Sequence, residues 1–557
     1  MFLQGSAAVA GLALHPKLWA FAGETPIATT TAGKISGYTE DGIHIFKSVP
    51  YGADTVRTRF QPPVPPEKWT GVKECARFIT MAPQLVPARG ARNTSPTGNM
   101  PTSASGVPGG PSDAGIQSED CLHLNVFTPA LRDGKKRPVL CYFHGGAYNN
   151  GTVNNDLYDG RRLCQRGDVV VVTVNHRLNA FGYMYLGDLS PTYGKSGNAG
   201  QLDLVLALEW IKANIGEFGG DPSRVLIFGQ SGGGAKCAAL MATPAAHGLF
   251  HRVLTMSGQQ IKGASIEIAA GRAKTVLEKL GAAGLKGKEL EAKLNSVSME
   301  QIQEAARAVS GDWLPVVDGV VLPRNPFDPD APKLSAAVPM ILGNVHDETM
   351  VPAPGGGAIT WDNAAQVLDA AVHQYLGRVK PEEAVAEFRR IHPDYSPQQV
   401  CIAAATAFRA WPGQRMEAER RAADPESQPR TWVYQMNFTG ANGRAMHTID
   451  IPFLFDNIAY AKGQIGSAPE QLEAANALAA IMSQMLITYG RTGNPNGDDP
   501  GRKPTQDGKL PYWPAYELTH RWTIMWERSP RVDDDPRGAE RRFAEQSHYH
   551  QAGTPLP

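Results

Sequence analysis

A serine between glycines is the residue whose setting points most directly to chemistry. Gly229, Ser231 and Gly233 form the pattern G-x-S-x-G between an apolar run, Val225–Phe228, and a small, helix-prone segment, Ala235–Met241. A strand, a tight turn and a helix together form the context in which a serine hydroxyl is exposed as a nucleophile at the apex of a strained turn. A plain glycine-rich turn satisfies the same pattern, so the motif alone does not decide between the two interpretations.

A second glycine-rich turn lies upstream and could supply donors for an oxyanion. His144–Tyr148, with the sequence HGGAY, follows the apolar run Pro138–Phe143. In open α/β sheets, functional groups collect at the carboxyl ends of the strands, so residues that follow apolar runs are the candidates. Small side chains leave the backbone N–H groups of such a turn accessible to a developing negative charge. The turn is therefore a candidate oxyanion loop, with a plain loop as the alternative.

An acid and a base follow two later apolar runs. The segment after Pro339–Leu342 contains three side chains that could orient a base: His346, Asp347 and Glu348. After Thr431–Met436, a loop carries His447 ahead of another apolar segment, Ile451–Phe455. The order serine, acid, histidine is the one that α/β-hydrolases use. These positions alone leave open which of the three side chains is the orienting group.

The elements that must position these residues alternate between apolar runs and helical patterns such as Leu202–Ile215. Seven runs are typical of strands: Pro138–Phe143, Val169–Val174, Val225–Phe228, Arg252–Met256, Pro339–Leu342, Thr431–Met436 and Trp522–Met525. The alternation predicts an α/β fold with a large, mostly parallel central sheet flanked by helices. We expect Glu267–Ala308 to form a helical excursion beside the sheet. Two stretches rich in Gly, Pro and polar residues, Pro87–Gln117 and Arg491–Gly508, predict irregular surface structure.

Composition excludes several classes of protein. Lysine plus arginine and aspartate plus glutamate each number 54 in 557 residues, so charge makes no case for binding nucleic acid or an anionic membrane. The chain is 42% hydrophobic and 19% charged, which is ordinary for a globular protein. Six cysteines do not make a disulfide-dense scaffold, and none has zinc-ligand spacing.

Several long motifs in a fixed order resemble those of one family. They are Ser118–Val126 (SEDCLHLNV), His144–Ala147, Asn175–Leu178, Gly219–Pro222, Met256–Gly258 and Gly493–Tyr516, which contains GNPNG and PYWPAY. From about Gly33 to Glu540 the chain is similar to type-B carboxylesterases, which include cholinesterases and bacterial para-nitrobenzyl esterases. The resemblance implies the α/β-hydrolase fold and hydrolysis of a small-molecule ester through an acyl-enzyme intermediate. It implies no metal and no organic cofactor.

The resemblance also implies a role for each candidate. Ser231 matches the nucleophile, Glu348 the acid and His447 the base. The family's oxyanion donors are backbone amides, matched here by Gly146, Ala147 and Gly232.

Other matches are supporting residues. Ser257 matches a hydroxyl near the acid, while Asp347 becomes a structural residue and His346 a neighbour. Two matched ion pairs are structural rather than catalytic: Glu119 with Arg59, and Asp203 with Arg177.

The chain departs from the family pattern in three places. Gln230 stands before the serine where the family usually has glutamate, which weakens any case for a cationic, choline-type substrate. Gly232 stands where alanine is usual and predicts a more flexible turn. Cys121 matches a cysteine that is often in a disulfide, but its partner position is Ala82. A bridge from Cys121 to nearby Cys75 and a pair of free buried thiols both stay open.

The substrate pocket is weakly encoded. Trp313 lies near the family's acyl-pocket segment, although core packing explains it equally well. Tyr148 is a second candidate wall residue, and Pro87–Gln117 could rim the opening. Lys236 and Lys262 could favour an anionic substrate, but isolated lysines are usually solvated. A thioesterase, amidase, lactonase or hydrolase of polyesters or toxin esters would use the same machinery. A catalytically dead binding module is a more remote alternative, because this chain retains both serine and histidine.

The first 22 residues predict the remnant of an export signal, and residues 23–557 a single α/β-hydrolase domain. Ala7–Leu14 is too short to span a bilayer, and Ala20–Ala22 fits an A-x-A cleavage site. The opening is similar to the second half of a twin-arginine signal without its arginines. We therefore expect a late methionine start and export to the bacterial periplasm, with a buried apolar segment in a cytoplasmic protein as the alternative.

Overall fold

The computed structural model describes residues 25–85, 116–352, 354–497, 510–551 and 553–554. Its strands are β1 (Ile27–Thr29), β2 (Lys34–Ser36), β3 (Tyr38–Glu40), β4 (Ile43–Pro50), β5 (Val72–Glu74), β6 (Thr80–Met81), β7 (Ile116–Gln117), β8 (His123–Thr128), β9 (Arg137–Phe143), β10 (Val170–Val174), β11 (Gly220–Gln230), β12 (Arg252–Met256), β13 (Met340–Val345), β14 (Thr431–Met436), β15 (Thr523–Trp526) and β16 (Arg531–Asp533). The export segment, residues 1–22, and almost all of the loop Pro87–Gln117 lie outside the described residues, so both stay predictions.

The helices connect and cover these strands. They are α1 (Arg161–Gly167), α2 (Asn179–Tyr183), α3 (Ala199–Asn214), α4 (Gly232–Met241), α5 (Ile266–Lys279), α6 (Gly287–Ser296), α7 (Met299–Arg307), α8 (Ala364–Leu376), α9 (Pro381–Ile391), α10 (Pro397–Ala405), α11 (Trp411–Ala422), α12 (Ile451–Leu454), α13 (Lys462–Ile465), α14 (Pro469–Thr492) and α15 (Gly538–Ala544). Within the described ranges, none of them is both long enough and apolar enough to cross a bilayer.

The main sheet has eleven strands in the order β16-β15-β14-β13-β12-β11-β9-β10-β8-β4-β3. All seven apolar runs predicted as strands form its centre, from β9 to β15, and they pair with one another in parallel. The outer strands β3, β4, β8 and β16 are antiparallel. The prediction of a large, mostly parallel sheet is therefore confirmed. Because parallel strands end at one edge, the loops after β9, β11, β13 and β14 emerge together.

The sheet separates two hydrophobic clusters, as the alternation along β9 shows. Val139, Cys141 and Phe143 pack in one cluster with residues of α3 and α4, while Leu140 and Tyr142 pack in the other with residues of α14. Successive side chains of a strand point to opposite faces, so a central strand covered on both faces is apolar throughout. This burial explains why these runs lack the alternation of a half-exposed strand.

The segment predicted as a helical excursion forms α5, α6 and α7. These helices enclose a third apolar cluster, which also takes in α2 and the segment around Trp313. Helix α7 begins with a capping box, in which Ser298 and Gln301 exchange side-chain and backbone hydrogen bonds. The excursion therefore packs with α2 and with Ala235 of α4.

The cysteines do not form the bridge that the sequence left open. Cys75 and Cys121 are both buried free thiols, as are the other four cysteines. The backbone of Cys75 is held by hydrogen bonds with Ser36 and Lys47. Cys121 instead lies close to the buried charges of Arg177 and Asp203. The alternative of two free buried thiols therefore describes the structure.

Candidate active site

Ser231 lies at the turn between the end of β11 at Gln230 and the start of α4 at Gly232. Its backbone has φ 57° and ψ −125°, a conformation that L-residues adopt only when surrounding structure holds them there. One such contact is the 2.7 Å hydrogen bond from the Ser231 amide to the carbonyl oxygen of Met256 in β12. Strand, strained turn and helix are therefore arranged as the sequence motif predicts.

The glycines around Ser231 are required by close backbone contacts. A Cβ atom on Gly233 would lie 2.0 Å from the carbonyl oxygen of Phe143, and one on Gly229 would lie 2.7 Å from the same oxygen. A Cβ atom on Gly232 would lie 2.2 Å from the carbonyl oxygen of Ala147. Glycine at position 232 thus lets the upstream glycine-rich turn approach the helix. This close approach is a structural consequence of the departure at that position, and the more flexible turn stays a prediction.

The upstream turn presents two free amides. Gly146 has φ 90° and Ala147 has φ 52°, and the amides of Asn149 and Asn150 both donate to the carbonyl oxygen of Gly146. Within the described residues, the N–H groups of Gly146 and Ala147 donate to no acceptor. Gly232 is the first residue of α4, and the first N–H groups of a helix have no intrahelical acceptor. These three amides are therefore available as oxyanion donors.

Glu348 and His447 meet at the same edge of the sheet. Glu348 follows β13 and His447 follows β14, which are adjacent and parallel. Nδ1 of His447 lies 2.5 Å from Oε2 of Glu348, and Oε1 of Glu348 accepts a 2.9 Å hydrogen bond from the amide of Val345. The His447 side chain is 30% exposed, whereas Glu348 is buried. The carboxylate thus holds an imidazole that is partly exposed to solvent.

Asp347 has a structural position beside this pair. Its Oδ2 accepts a 2.9 Å hydrogen bond from the amide of Ala445, and its own amide donates to the carbonyl oxygen of Ala445 at 3.0 Å. Its Oδ1 lies 2.8 Å from Nδ1 of His346. Asp347 therefore fastens the loop that carries the acid to the loop that carries the histidine. This is the structural role that the resemblance implies for it.

The environment of His447 selects its protonation. Burial by itself would lower the pKa of His447, but the charge of Glu348 and the hydrogen bond to it raise that pKa above its usual value. Because Nδ1 donates to the carboxylate, Nε2 is the acceptor of the neutral ring. The side-chain amide of Gln230 lies 3.2 Å from this Nε2 and donates to it. A basic nitrogen is therefore directed at the residue that precedes Ser231.

The partner of His447 at Nε2 differs from Ser231, the partner that the resemblance implies. The Ser231 hydroxyl hydrogen-bonds to no described residue, and Nε2 of His447 is engaged by Gln230 instead. The structure thus joins the acid to the histidine and brings the histidine to Gln230, the residue before Ser231. Sequence reasoning recognised Gln230 as a departure, but only the folded loops reveal this hydrogen bond.

Three other predicted site residues occupy packed positions. The Ser257 hydroxyl is buried and has no hydrogen-bond partner in the described structure, so no bond joins it to the acid. Tyr148 and Trp313 are each 2% exposed and belong to the cluster of α5–α7. The Tyr148 hydroxyl donates to Oε1 of Gln260 at 2.8 Å. Both aromatic side chains therefore have the packed environment that was the alternative for Trp313.

The two ion pairs that the resemblance assigns to structure are buried. Arg59 binds Glu119 at 2.5 Å and Arg177 binds Asp203 at 2.6 Å. Across the described residues, no three His, Cys, Asp or Glu side chains are grouped as a metal site requires.

Lys236 is the residue that sequence reasoning misjudged. It was expected to be solvated like most isolated lysines, and Lys262 is indeed half-exposed. Lys236 instead is 0% exposed, inside α4, and its Nζ donates a 3.0 Å hydrogen bond to the carbonyl oxygen of His144. One signal was available in the sequence, since the lysine stands in an otherwise small and apolar helix.

Comparison with known proteins agrees with this arrangement. The model of the carboxylesterase family matches residues 24–544. A para-nitrobenzyl esterase from Bacillus subtilis is 31% identical over 533 residues, covering 93% of this chain and 98% of the relative. A human cocaine esterase is 29% identical over 532 residues, covering 89% and 87% respectively. The structure of a carboxylesterase from Geobacillus stearothermophilus superposes with a TM-score of 0.74 at 31% identity, covering 93% of this chain and 99% of the other. The chain therefore belongs to the carboxylesterase family.

Proposed function

We propose that this carboxylic ester hydrolase works by two-step acyl transfer from Ser231. His447 takes the hydroxyl proton at Nε2 as Ser231 attacks the ester carbonyl. The amides of Gly146, Ala147 and Gly232 bind the tetrahedral oxyanion, and loss of one such donor typically costs roughly 3–4 kcal/mol of barrier. Water activated by His447 then releases the acid from the acyl-enzyme. No step in this sequence calls on a metal or an organic cofactor.

The hydrogen bond between His447 and Glu348 is the observation that carries the proposal. It orients an imidazole with its basic nitrogen at the elbow, and it stabilises the imidazolium that forms when the serine proton is taken. For that transfer, the Gln230 amide must leave Nε2 and the Ser231 hydroxyl must replace it. We expect this exchange of hydrogen bonds to occur when substrate binds, since catalytic hydrogen bonds often tighten only in the Michaelis complex.

Uncharged small esters are the substrates we propose. Gln230 is neutral, so the elbow adds no negative charge to attract a cationic substrate. Relatives of this chain include a phenmedipham hydrolase from Pseudarthrobacter oxydans and an esterase from Clostridium hathewayi described as hydrolysing aliphatic aromatic polyesters. Thioesters, amides and lactones are alternatives that the same machinery could serve. Rates on short para-nitrophenyl esters, matched thioesters, amides and polyesters would separate these classes.

Ser231→Ala tests the mechanism. We expect loss of nearly all ester hydrolysis in a folded protein, because the residual oxyanion donors give only a small part of the rate. A fluorophosphonate should label the parent protein at one serine and leave the variant unlabelled, as intact mass spectrometry would show.

Ser223→Ala is the matched control, since Ser223 lies exposed on the same strand. It should retain parent rates and labelling. Full turnover by a pure Ser231→Ala preparation would disprove the assignment of the nucleophile.

A further inference from the structure

Lys236 is a buried cation for which the proposed mechanism has no use. The lysine is 0% exposed, and no described carboxylate lies within salt-bridge distance of its Nζ. Its contacts are the 3.0 Å hydrogen bond to the carbonyl oxygen of His144 and the face of the Tyr148 ring, whose centroid lies 5.6 Å from Nζ. Burying a lysine without a counter-charge is costly, so its presence calls for an explanation.

The groups around Lys236 leave the backbone carbonyl as its principal partner. His144 and His176 stack with ring centroids 4.8 Å apart, and burial lowers the pKa of His144 to about 3, so both rings are neutral. Cys237 is the thiol next to Lys236 on its own helix, and burial raises the pKa of that thiol far above its usual value. Burial also lowers the pKa of Lys236 to about 7. An amine donates hydrogen bonds in either protonation state, so the contact with His144 does not depend on the charge.

The two contacts of Lys236 lie on either side of the proposed oxyanion donors. His144 precedes Gly146 and Ala147 in the chain, and Tyr148 follows them. Lys236 is also four residues after Gly232 on α4, and residues at this spacing share one face of a helix. That face already meets the loop, because Gly232 contacts the backbone of Ala147. One side chain therefore joins the helix that supplies one donor to the loop that supplies the other two.

We propose that Lys236 is a positioning residue that fixes the oxyanion loop against helix α4. Preorganised donors stabilise a transition state only when they are held where the negative charge develops, and a misplacement of about 1 Å can cost roughly 100-fold in rate. Lys236 itself does not touch the reacting atoms. This inference rests on the proposed function, since it takes the amides of Gly146, Ala147 and Gly232 as the oxyanion donors.

Lys236→Met is the test, because methionine keeps much of the length and apolar stem of lysine but neither donates nor carries charge. We expect kcat on a para-nitrophenyl ester to fall about tenfold or more, with KM within about twofold of the parent value. A matched trifluoromethyl ketone, which forms an anionic hemiketal with the serine, should bind more weakly by the same factor. The corresponding methyl ketone, which binds without developing that charge, should keep its inhibition constant.

Cys237→Ala is the control, since it alters the neighbouring buried side chain of the same helix without removing a contact to the loop carbonyl. It should leave kcat and the trifluoromethyl ketone constant within about twofold. A Lys236→Met protein with parent kcat and parent trifluoromethyl ketone affinity overturns the inference. A parallel loss of affinity for both ketones also overturns it, because general damage to the pocket explains that pattern.

If Lys236→Met does not yield folded protein, the same measurements are made on Lys236→Leu, and their outcomes are interpreted in the same way. The parent protein separates this inference from the function on which it rests. If the trifluoromethyl ketone does not inhibit the parent through a reversible bond to Ser231, the acyl-transfer proposal fails. If it inhibits the parent and both Lys236 variants equally, only the role of Lys236 fails.

Discussion

Two sets of ionisable side chains near the elbow differ in how their charges are compensated. In one set, Glu348 is paired with His447, whose ring is 30% exposed. In the other, Lys236 has no carboxylate partner among the described residues and rests on a backbone carbonyl next to neutral His144. The paired set can move a proton between defined states, whereas the unpaired set can only hold a backbone segment.

The difference explains which set can act as an acid–base pair. In the first set, the carboxylate of Glu348 raises the pKa of His447, because its negative charge stabilises the positive charge that the ring gains with a proton. In the second set, burial disfavours the charged form of Lys236 and so lowers its pKa. Lys236 therefore provides loop geometry at a cost in stability, a trade that is common where activity needs a strained or polar site.

Removing the charge from the paired set should have the largest effect. In Glu348→Gln, an amide replaces the carboxylate and no longer selects the tautomer with a proton on Nδ1 of His447. We expect kcat to fall by about 10⁴-fold, as happens when the acid of a serine triad is replaced by its amide. Steady-state kinetics at the pH optimum would measure the loss.

Asp347→Asn is the matched control for Glu348→Gln, because it replaces the carboxylate of the adjacent residue with an amide in the same way. Asp347 binds backbone groups of the neighbouring loop rather than the imidazole. We expect a destabilisation of about 1–3 kcal/mol and only a modest loss of kcat. Equal losses of kcat in the two variants would contradict the assignment of Glu348 as the orienting acid.

Adding a charge beside the paired set should shift its pH dependence. In Gln230→Glu, a carboxylate would replace the amide that lies 3.2 Å from Nε2 of His447. An opposite charge at this range favours the imidazolium and raises the pKa of His447 further, by roughly one unit or more. The base would then stay protonated to higher pH, so the acid limb of the kcat/KM profile should move upward.

Gln230→Leu separates the charge from the loss of the hydrogen bond at this position. It removes the amide without adding a carboxylate, so its acid limb should lie close to that of the parent protein. If Gln230→Glu left the limb in place, residue 230 would not lie beside His447 in solution.

The buried lysine of the unpaired set should lower the thermal stability of the protein in a pH-dependent way. The pKa of Lys236 falls from 10.5 to about 7 on folding, so the folded state bears the full cost of the buried charge below pH 7. That cost falls as the pH rises from about 7 to 10.5, and it is absent above pH 10.5. We therefore expect Lys236→Met to raise Tm relative to the parent protein, and to raise it more at pH 6 than at pH 9.

Thermal unfolding of both proteins at the two pH values measures this difference. Cys237→Ala is the reference, because it changes a buried side chain of the same helix without removing a charge. A Tm difference between Lys236→Met and the parent that is the same at both pH values would show that Lys236 keeps its proton in the folded protein from pH 6 to pH 9, and would contradict the lowered pKa.

Contiguous residues predicted much of the architecture. Runs such as Val169–Val174 mark strands because a buried strand is apolar along its whole length, and glycines mark the elbow because only they tolerate its backbone contacts. The motifs that resemble the carboxylesterase family then named Ser231, Glu348 and His447, and the fold brings the last two into contact. These features are readable because each depends on neighbours in the chain or on a motif of fixed order.

The sequence by itself determined the family, the parallel sheet and the order in which its functional loops emerge, because local periodicity and turn chemistry encode them. Tertiary structure alone decided that Gln230 meets His447, that Asp347 ties two loops together, that Cys75 and Cys121 are free thiols, and that Lys236 is buried against the carbonyl of His144. Each of these facts depends on distances between segments far apart in the chain, and those distances are set by how strands and helices pack rather than by any short stretch of residues.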